Sequence, residues 1–246
     1  MTLMSQIENI KGKISGKISF NESLSKLSWF NLGGPAKVLF RPKNLRELSI
    51  FLKEIKGTNK IKVLGVGSNT LIREGGFNGI IIKFGKSFTH ISLFDPNTII
   101  AGASVLDKNV SSFALENSLS GFEFLSCIPG TIGGAIRMNS GCYEEDISRI
   151  LVSLQAIDLN GNIKIIQYSD IKFHYRGSNL DDNLIFISAT FRGKKDNKSN
   201  IQEKINSFVK KKIWHNHQKL KLVVVLLKIL KIKKLGNLLK ILAVQE

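Results

Sequence analysis

Apolar residues recur along this chain in short bursts divided by glycine and polar turns, and the period of each burst sets the element it predicts. Residues 36–40 and 61–64 read as strands and 79–84 (GIIIKF) as a buried strand, while 45–55 repeat apolar residues at helical spacing. Farther on, 91–93, 98–101, 151–159, 163–168 and 184–191 read as strands. Residues 105–118 read as a helix with Leu106, Val110, Phe113, Ala114 and Leu115 on one face. Asn160-Gly161, between two alternating runs, signals a hairpin turn. The pattern describes one compact α+β unit over about 30–84 and a second over about 88–192, with no internal repeat.

Two glycine-rich turns interrupt this pattern. Leu64-Gly65-Val66-Gly67-Ser68-Asn69-Thr70 follows a predicted strand, and Ile128-Pro129-Gly130-Thr131-Ile132-Gly133-Gly134-Ala135 lies about sixty residues later. Glycine lets a backbone approach an anion closely and adopt positive φ, so successive N–H groups can converge on pyrophosphate oxygens. Neither turn is a G-x-G-x-x-G opening a helix, and no Walker lysine follows. A pair of loops gripping one dinucleotide is a different solution from either. A single glycine cluster is most often only a turn; two in matched context shift the balance toward a cradle.

Composition narrows the partners. The 246 residues carry a formal charge of +17, which on its own invites a nucleic-acid partner. Yet residues 210–246 hold ten lysines and one glutamate, and the rest of the chain shows no dense basic block interleaved with aromatics. No nucleic acid is expected. The apolar runs fall short of a bilayer span and residues 1–13 have no apolar core of a secretory signal, so no membrane partner and a cytoplasmic location are expected. Two cysteines fit a reducing compartment. Cys127 and Cys142 read as small packing residues, Glu144-Glu145-Asp146 as a solvated or capping patch, and His215-x-His217 lacks a third ligand, so no metal is expected.

Five segments in order then make the chain resemble the UDP-N-acetylenolpyruvoylglucosamine reductase family. They are Trp29-Phe30-Asn31-Leu32-Gly33-Gly34-Pro35-Ala36, the loop at 65–70, Gly121-Phe122-Glu123 with 129–135, Met138-Asn139-Ser140-Gly141-Cys142-Tyr143, and Phe173-His174-Tyr175-Arg176-Gly177-Ser178. The resemblance covers about residues 25–212. It implies an α+β fold of two subdomains clasping FAD, of the vanillyl-alcohol-oxidase-like type, followed by a C-terminal substrate domain. It divides the chain into a lead-in (1–25), FAD subdomains at 26–86 and 87–195, and a helix with a remnant of the substrate domain at 196–246. FAD is the implied cofactor, with NADPH as co-substrate and a UDP-sugar enolpyruvyl ether as substrate, in the synthesis of UDP-N-acetylmuramate for peptidoglycan. The implied FAD contacts are Gly65, Val66, Gly67, Ser68, Asn69, Thr70, Pro129, Gly130, Thr131, Gly133, Gly134, Ala135, Asn139 and Gly141. Tyr175, Arg176 and Ser178 are the implied substrate contacts. Arg176 matches the family's catalytic arginine, whose planar guanidinium can pair with a carboxylate and offset charge developing toward it. Two alternatives stay open: another flavin oxidoreductase of the same fold, and a flavin-binding or membrane-surface module with a functional basic tail.

The family's third domain carries a G-G-S-T-F-K-N-P segment, whose serine is the proton donor, and this is absent as written. In its place runs Lys219-Leu220-Lys221-Leu222-Val223-Val224-Val225-Leu226-Leu227-Lys228. Read one frame over with A/T-rich codons, the codons from Trp214 onward permit G-G-S-T-F-K-N-P followed by A-W-K-L-I. Everything after about Lys212 therefore reads as an out-of-frame remnant of the substrate domain, and an impaired enzyme is expected. Resequencing across the codons of Lys210-Lys211-Lys212 and several hundred bases downstream should reveal an open neighbouring frame encoding that segment; a neighbouring frame full of stops would overturn this.

Overall fold

The computed structural model describes residues 3–55 and 60–229, with side chains as far as residue 215. The first unit holds helix α1 (Leu3–Ile10), strands β1 (Lys17–Ser23) and β2 (Pro35–Arg41), helix α2 (Leu45–Glu54), and strands β3 (Ile61–Val63) and β4 (Phe77–Ile82). Its sheet has the order β1-β2-β4-β3, antiparallel at β1–β2 and parallel at β2–β4 and β4–β3. The second unit has strands β5 (Ile91–Asp95) and β6 (Thr98–Gly102), helices α3 (Asp107–Glu116) and α4 (Ile132–Arg137), and strands β7 (Leu151–Ile157), β8 (Ile163–Gln167) and β9 (Ile185–Arg192). Its sheet is antiparallel throughout, in the order β8-β7-β9-β6-β5. Helix α5 (Lys198–Ile229) follows.

Burial explains why these elements form where the apolar pattern places them. Alternation along β4 sends Ile80 and Ile82 toward α2 and Ile81 to the opposite face, where it packs with Leu24, Ala36, Leu39 and Leu64. Helix α2 starts at Asn44, whose side chain accepts the amide of Glu47 at 2.9 Å. Its Phe51 stacks on Phe40 of β2 with ring centroids 4.0 Å apart. Ile157, Ile185 and Ile187 of the second sheet enter this same cluster, so the two units share a core. A larger cluster beneath α3 and α4 includes Val110, Phe122, Phe124, Ile132 and Phe191.

The chain ahead of residue 26 is built into the first unit. Ile7 and Ile10 of α1 are buried against α2, and β1 pairs along its length with β2. Strand β1 gives little sequence signal because it lies at the sheet edge, with both faces mostly open to water. Helix α5 packs on the second unit through Ile201, which is buried, and through Phe208, whose ring lies 5.5 Å from that of Tyr143. The stretch read as out of frame begins inside α5, and its final part, residues 230–246, lies outside the described residues. No described helix is long and apolar enough to cross a membrane.

Phe51 ties α2 to both sheets, so Phe51→Ala is expected to destabilise the protein by about 3–5 kcal/mol in denaturant unfolding. A loss below about 1 kcal/mol would mean the shared core does not couple the units.

Candidate cofactor site

The loop after β3 and the loop before α4 face each other across a cavity of about 480 Å³, within the size range of small-molecule and cofactor sites. All of Gly65, Val66, Gly67, Ser68, Asn69 and Thr70 line it, as do Pro129, Gly130, Thr131, Gly133, Gly134 and Ala135. Arg176 joins them from a distant part of the chain.

The first loop is anchored by its carbonyls. Gly67 O accepts the Trp29 amide at 3.2 Å, and the Lys83 ammonium donates to Gly65 O. A trans peptide places its N–H opposite its carbonyl, so both anchors turn the following amides, of Val66 and Ser68, to the other side. Among the described residues, none of the amides from Gly65 to Asn69 has a protein hydrogen-bond partner, and Ser68–Asn69 form a turn. Such a run of open donors suits an anion. Gly67 sits at φ +74°, and a Cβ there would lie 2.4 Å from Leu27 O; one on Gly65 would lie 2.8 Å from Thr131 Oγ1. Side chains at these points would push the two loops off their seats.

The second loop is held differently. Ile132 and Gly133 donate their amides to Val105 O at 3.0 Å and Ala103 O at 2.9 Å, Gly130 O accepts from Asp107, and the Ala135 amide donates to Thr131 O at 2.8 Å. These bonds stitch the loop to the β6–α3 connection. They narrow the expectation from sequence: of the amides in 130–135, those of Gly130, Thr131 and Gly134 keep no protein partner among the described residues.

Four expected contacts lie elsewhere, two of the cofactor's and two of the substrate's. Asn139 and Gly141 are outside the cavity lining. Asn139 instead accepts the Ser148 amide at 3.2 Å, while Gly141 pairs with Asp146 in a short ladder. Asp146 also accepts the Ser148 amide at 3.0 Å, the capping role read for this acidic patch. Of the expected substrate contacts, Tyr175 is 92% exposed, and neither it nor Ser178 lines the cavity. Arg176 does, because Tyr175-Arg176 is the two-residue turn between Phe173–His174 and Gly177–Ser178, with Arg176 at φ +64°.

Two charged residues of the cavity wall gave no signal in the sequence. Arg137 donates to Leu180 O, Asp181 O (3.0 Å) and Leu184 O (2.6 Å), and stacks over Phe186 at 4.1 Å. It thereby fixes the segment bordering the cavity before β9. Asp107 opens α3 and is fully buried, and neither carboxyl oxygen has a partner among the described residues. Burial pushes its pKa up to about 8. At neutral pH it is a protonated acid that adds no negative charge to the cavity and keeps an O–H to donate.

These features fit a dinucleotide cofactor: open amides for a pyrophosphate, glycines that admit close approach, and an orphaned buried acid that need not repel phosphate. The family model for an FAD binding domain matches residues 36–167. A UDP-N-acetylenolpyruvoylglucosamine reductase of Pelagibacter ubique is 48% identical over 216 residues, 88% of this chain and 72% of that protein. The reductase of Rickettsia canadensis is 40% identical over 193 residues, 78% of this chain and 65% of that one, so the chain spans about two thirds of this relative. Among solved structures, the UDP-N-acetylenolpyruvylglucosamine reductase of Thermus caldophilus superposes with a TM-score of 0.68 at 24% identity, over 80% of this chain and 69% of the other. A BBE-like 1 variant of Physcomitrella patens gives 0.54 at 15% identity, over 79% of this chain and 45% of its own. Both support the two-subdomain α+β fold.

The ordinary carboxyl pKa of 3.8 and the buried value of about 8 set the sign of a pH effect. Below pH 3.8 the native and unfolded chains both carry a protonated Asp107. Between 3.8 and 8 only the unfolded chain ionises, so native stability falls as pH rises. Asp107→Asn removes this penalty. Its urea stability relative to the parent should therefore increase from pH 4 to 8, on the order of 1 kcal/mol per unit, and level off above. A constant difference across that range would show that Asp107 is not held protonated.

Proposed function

The chain belongs to the UDP-N-acetylenolpyruvoylglucosamine reductase family, and on that premise we propose that it reduces UDP-N-acetylglucosamine enolpyruvate to UDP-N-acetylmuramate. NADPH supplies the electrons, bound FAD carries the hydride between the two substrates, and the product serves peptidoglycan precursor synthesis in the cytoplasm. The observation that carries this reading is the meeting of Arg176 with both glycine loops in the wall of one cavity.

Each group has a definite task. The amides of Val66 and Ser68, turned away from the Lys83 and Trp29 anchors, hold the cofactor's pyrophosphate with those of Gly130, Thr131 and Gly134. The side chains of Ser68, Asn69, Thr70 and Thr131 add hydrogen bonds around it. Arg137 keeps the facing segment in place, so the cavity holds its shape. Arg176, on a tight two-residue turn, presents a permanent positive charge to the substrate carboxylate, toward which negative charge moves as hydride is added. Its left-handed backbone costs some stability and sets the direction in which the side chain leaves the turn.

Purified protein should be yellow, bleach with NADPH under anaerobic conditions, and regain its colour when the enolpyruvyl substrate is added. Arg176→Ala should retain its flavin and bleach normally, yet lose about 100-fold or more in the rate of substrate-dependent recolouring. Protein that takes up no flavin would overturn the cradle. Recolouring at the parent rate in Arg176→Ala would overturn the role of the arginine.

A further inference from the structure

Cys127 and Cys142 bracket the second glycine loop, and the fold brings them together. Cys127 ends the 3₁₀ turn Glu123–Cys127 and is 6% exposed; Cys142, half-buried, lies in the ladder formed by Gly141–Cys142 and Glu145–Asp146. The Cys142 thiol donates to the carbonyl of Phe124 at 3.4 Å. In a 3₁₀ turn that carbonyl faces the amide three residues on, which is that of Cys127 itself. The Cys142 sulfur is thereby seated beside the turn that Cys127 closes.

Their surroundings make the two sulfurs unequal. Cys127 has the Cys142 thiol beside it, has the Ser126 hydroxyl 3.8 Å away, and feels the positive charge of Lys212 on α5. Together these hold its pKa down at about 6 against the opposing effect of burial. Cys142 is pushed up, first by the neighbouring Cys127 and then by burial, with Glu145 adding to the rise and Lys212 opposing it. Tyr143 also faces the pair, its own hydroxyl pushed up by burial and by the two cysteines. A low-pKa thiol with a protonated thiol nearby is the arrangement of an attacking and a resolving cysteine.

We propose that Cys127 and Cys142 form a peroxide-sensitive dithiol whose disulfide closes a ring around the second cofactor loop. The Cys127 thiolate attacks one oxygen of hydrogen peroxide and the O–O bond breaks; the departing hydroxide takes a proton and leaves as water. Cys127 is then a sulfenic acid. Cys142 attacks its sulfur, the S–O bond breaks, and a second water leaves with the Cys142 proton. Two thiols are oxidised by two electrons and one peroxide is reduced to two waters. The ring so closed runs from residue 127 to 142 and contains Pro129, Gly130, Thr131, Gly133, Gly134 and Ala135, all in the cavity wall. A crosslink across the base of the loop removes the open conformations through which a bound dinucleotide would leave. Disulfide formation is independent of the cofactor assignment; its effect on release rests on the FAD reading above.

Intact-mass spectrometry of the full chain after stoichiometric peroxide tests the first part. The parent should lose about 2 Da and both titratable thiols, recovered by dithiothreitol, while Cys142→Ser should gain about 16 Da at a dimedone-reactive Cys127. Two thiols still titratable after peroxide, or oxygen adducts with no 2 Da loss, would overturn the pairing. For the second part, FAD release from the oxidised parent should slow by about threefold or more relative to the reduced parent, with no change in Cys127→Ser. An unchanged release rate despite the 2 Da loss would overturn the ring-closure effect. Protein that forms the disulfide but takes up no FAD would point to failure of the cofactor reading instead.

Discussion

A loop that leaves five successive amides without a partner among the described residues is open to a ligand there, and this fold is arranged around holding that loop in place. The segment from Gly65 to Thr70 cannot support itself by a ladder or a helix. It is supported from behind, by the Trp29 amide on one carbonyl and the Lys83 ammonium on another. Contact with the second loop at Gly65 and with Leu27 and Ser28 at Gly67 leaves no room for side chains. The glycines are therefore a packing requirement as well as a conformational one.

The second loop solves the same problem with the opposite economy. It donates two amides to the β6–α3 connection and keeps others open, so its position follows from the second sheet, whose strand β6 runs directly into that connection. The shared core of Phe40, Phe51, Ile157, Ile185 and Ile187 then fixes one sheet against the other, and with them the two loops. A shift in that core would open the cradle without touching any residue in it.

Charge in the cavity wall follows from the same geometry. Burial without a counter-charge leaves Asp107 protonated, which is compatible with a neighbouring pyrophosphate where a carboxylate would not be. Arg137 spends its guanidinium on three carbonyls and a phenyl ring, a structural use that keeps the segment before β9 in place. Among the described residues, Arg176 has no such partner and remains free to meet a ligand. Below the second loop, the sulfur of Cys142 bonded to Phe124 O ties the end of that loop back to its beginning.

Much of this was legible in the order of residues. Periods of two and of 3.6 located β2, α2, β4, α3, β7, β8 and β9 to within a few residues, because burial on one face is a local property of sequence. Both glycine loops announced themselves by composition, and Arg176 by its place in a motif. Strand β1 escaped although Ile18 and Phe20 alternate with polar residues, since the run is short and lies at the sheet edge. The short helix α4 escaped because Ile132-Gly133-Gly134 has low intrinsic helix propensity and is set in place by bonds to Ala103 and Val105. Asp107, Arg137 and the Cys127–Cys142 pair escaped for one further reason. Their ionisation and partners depend on which groups the fold buries beside them, and those neighbours come from distant parts of the chain. The sequence by itself determined the elements and the chemistry of the two loops; tertiary structure alone decided which amides stay open and which acid and thiols are perturbed, because desolvation and contact are properties of the packed molecule.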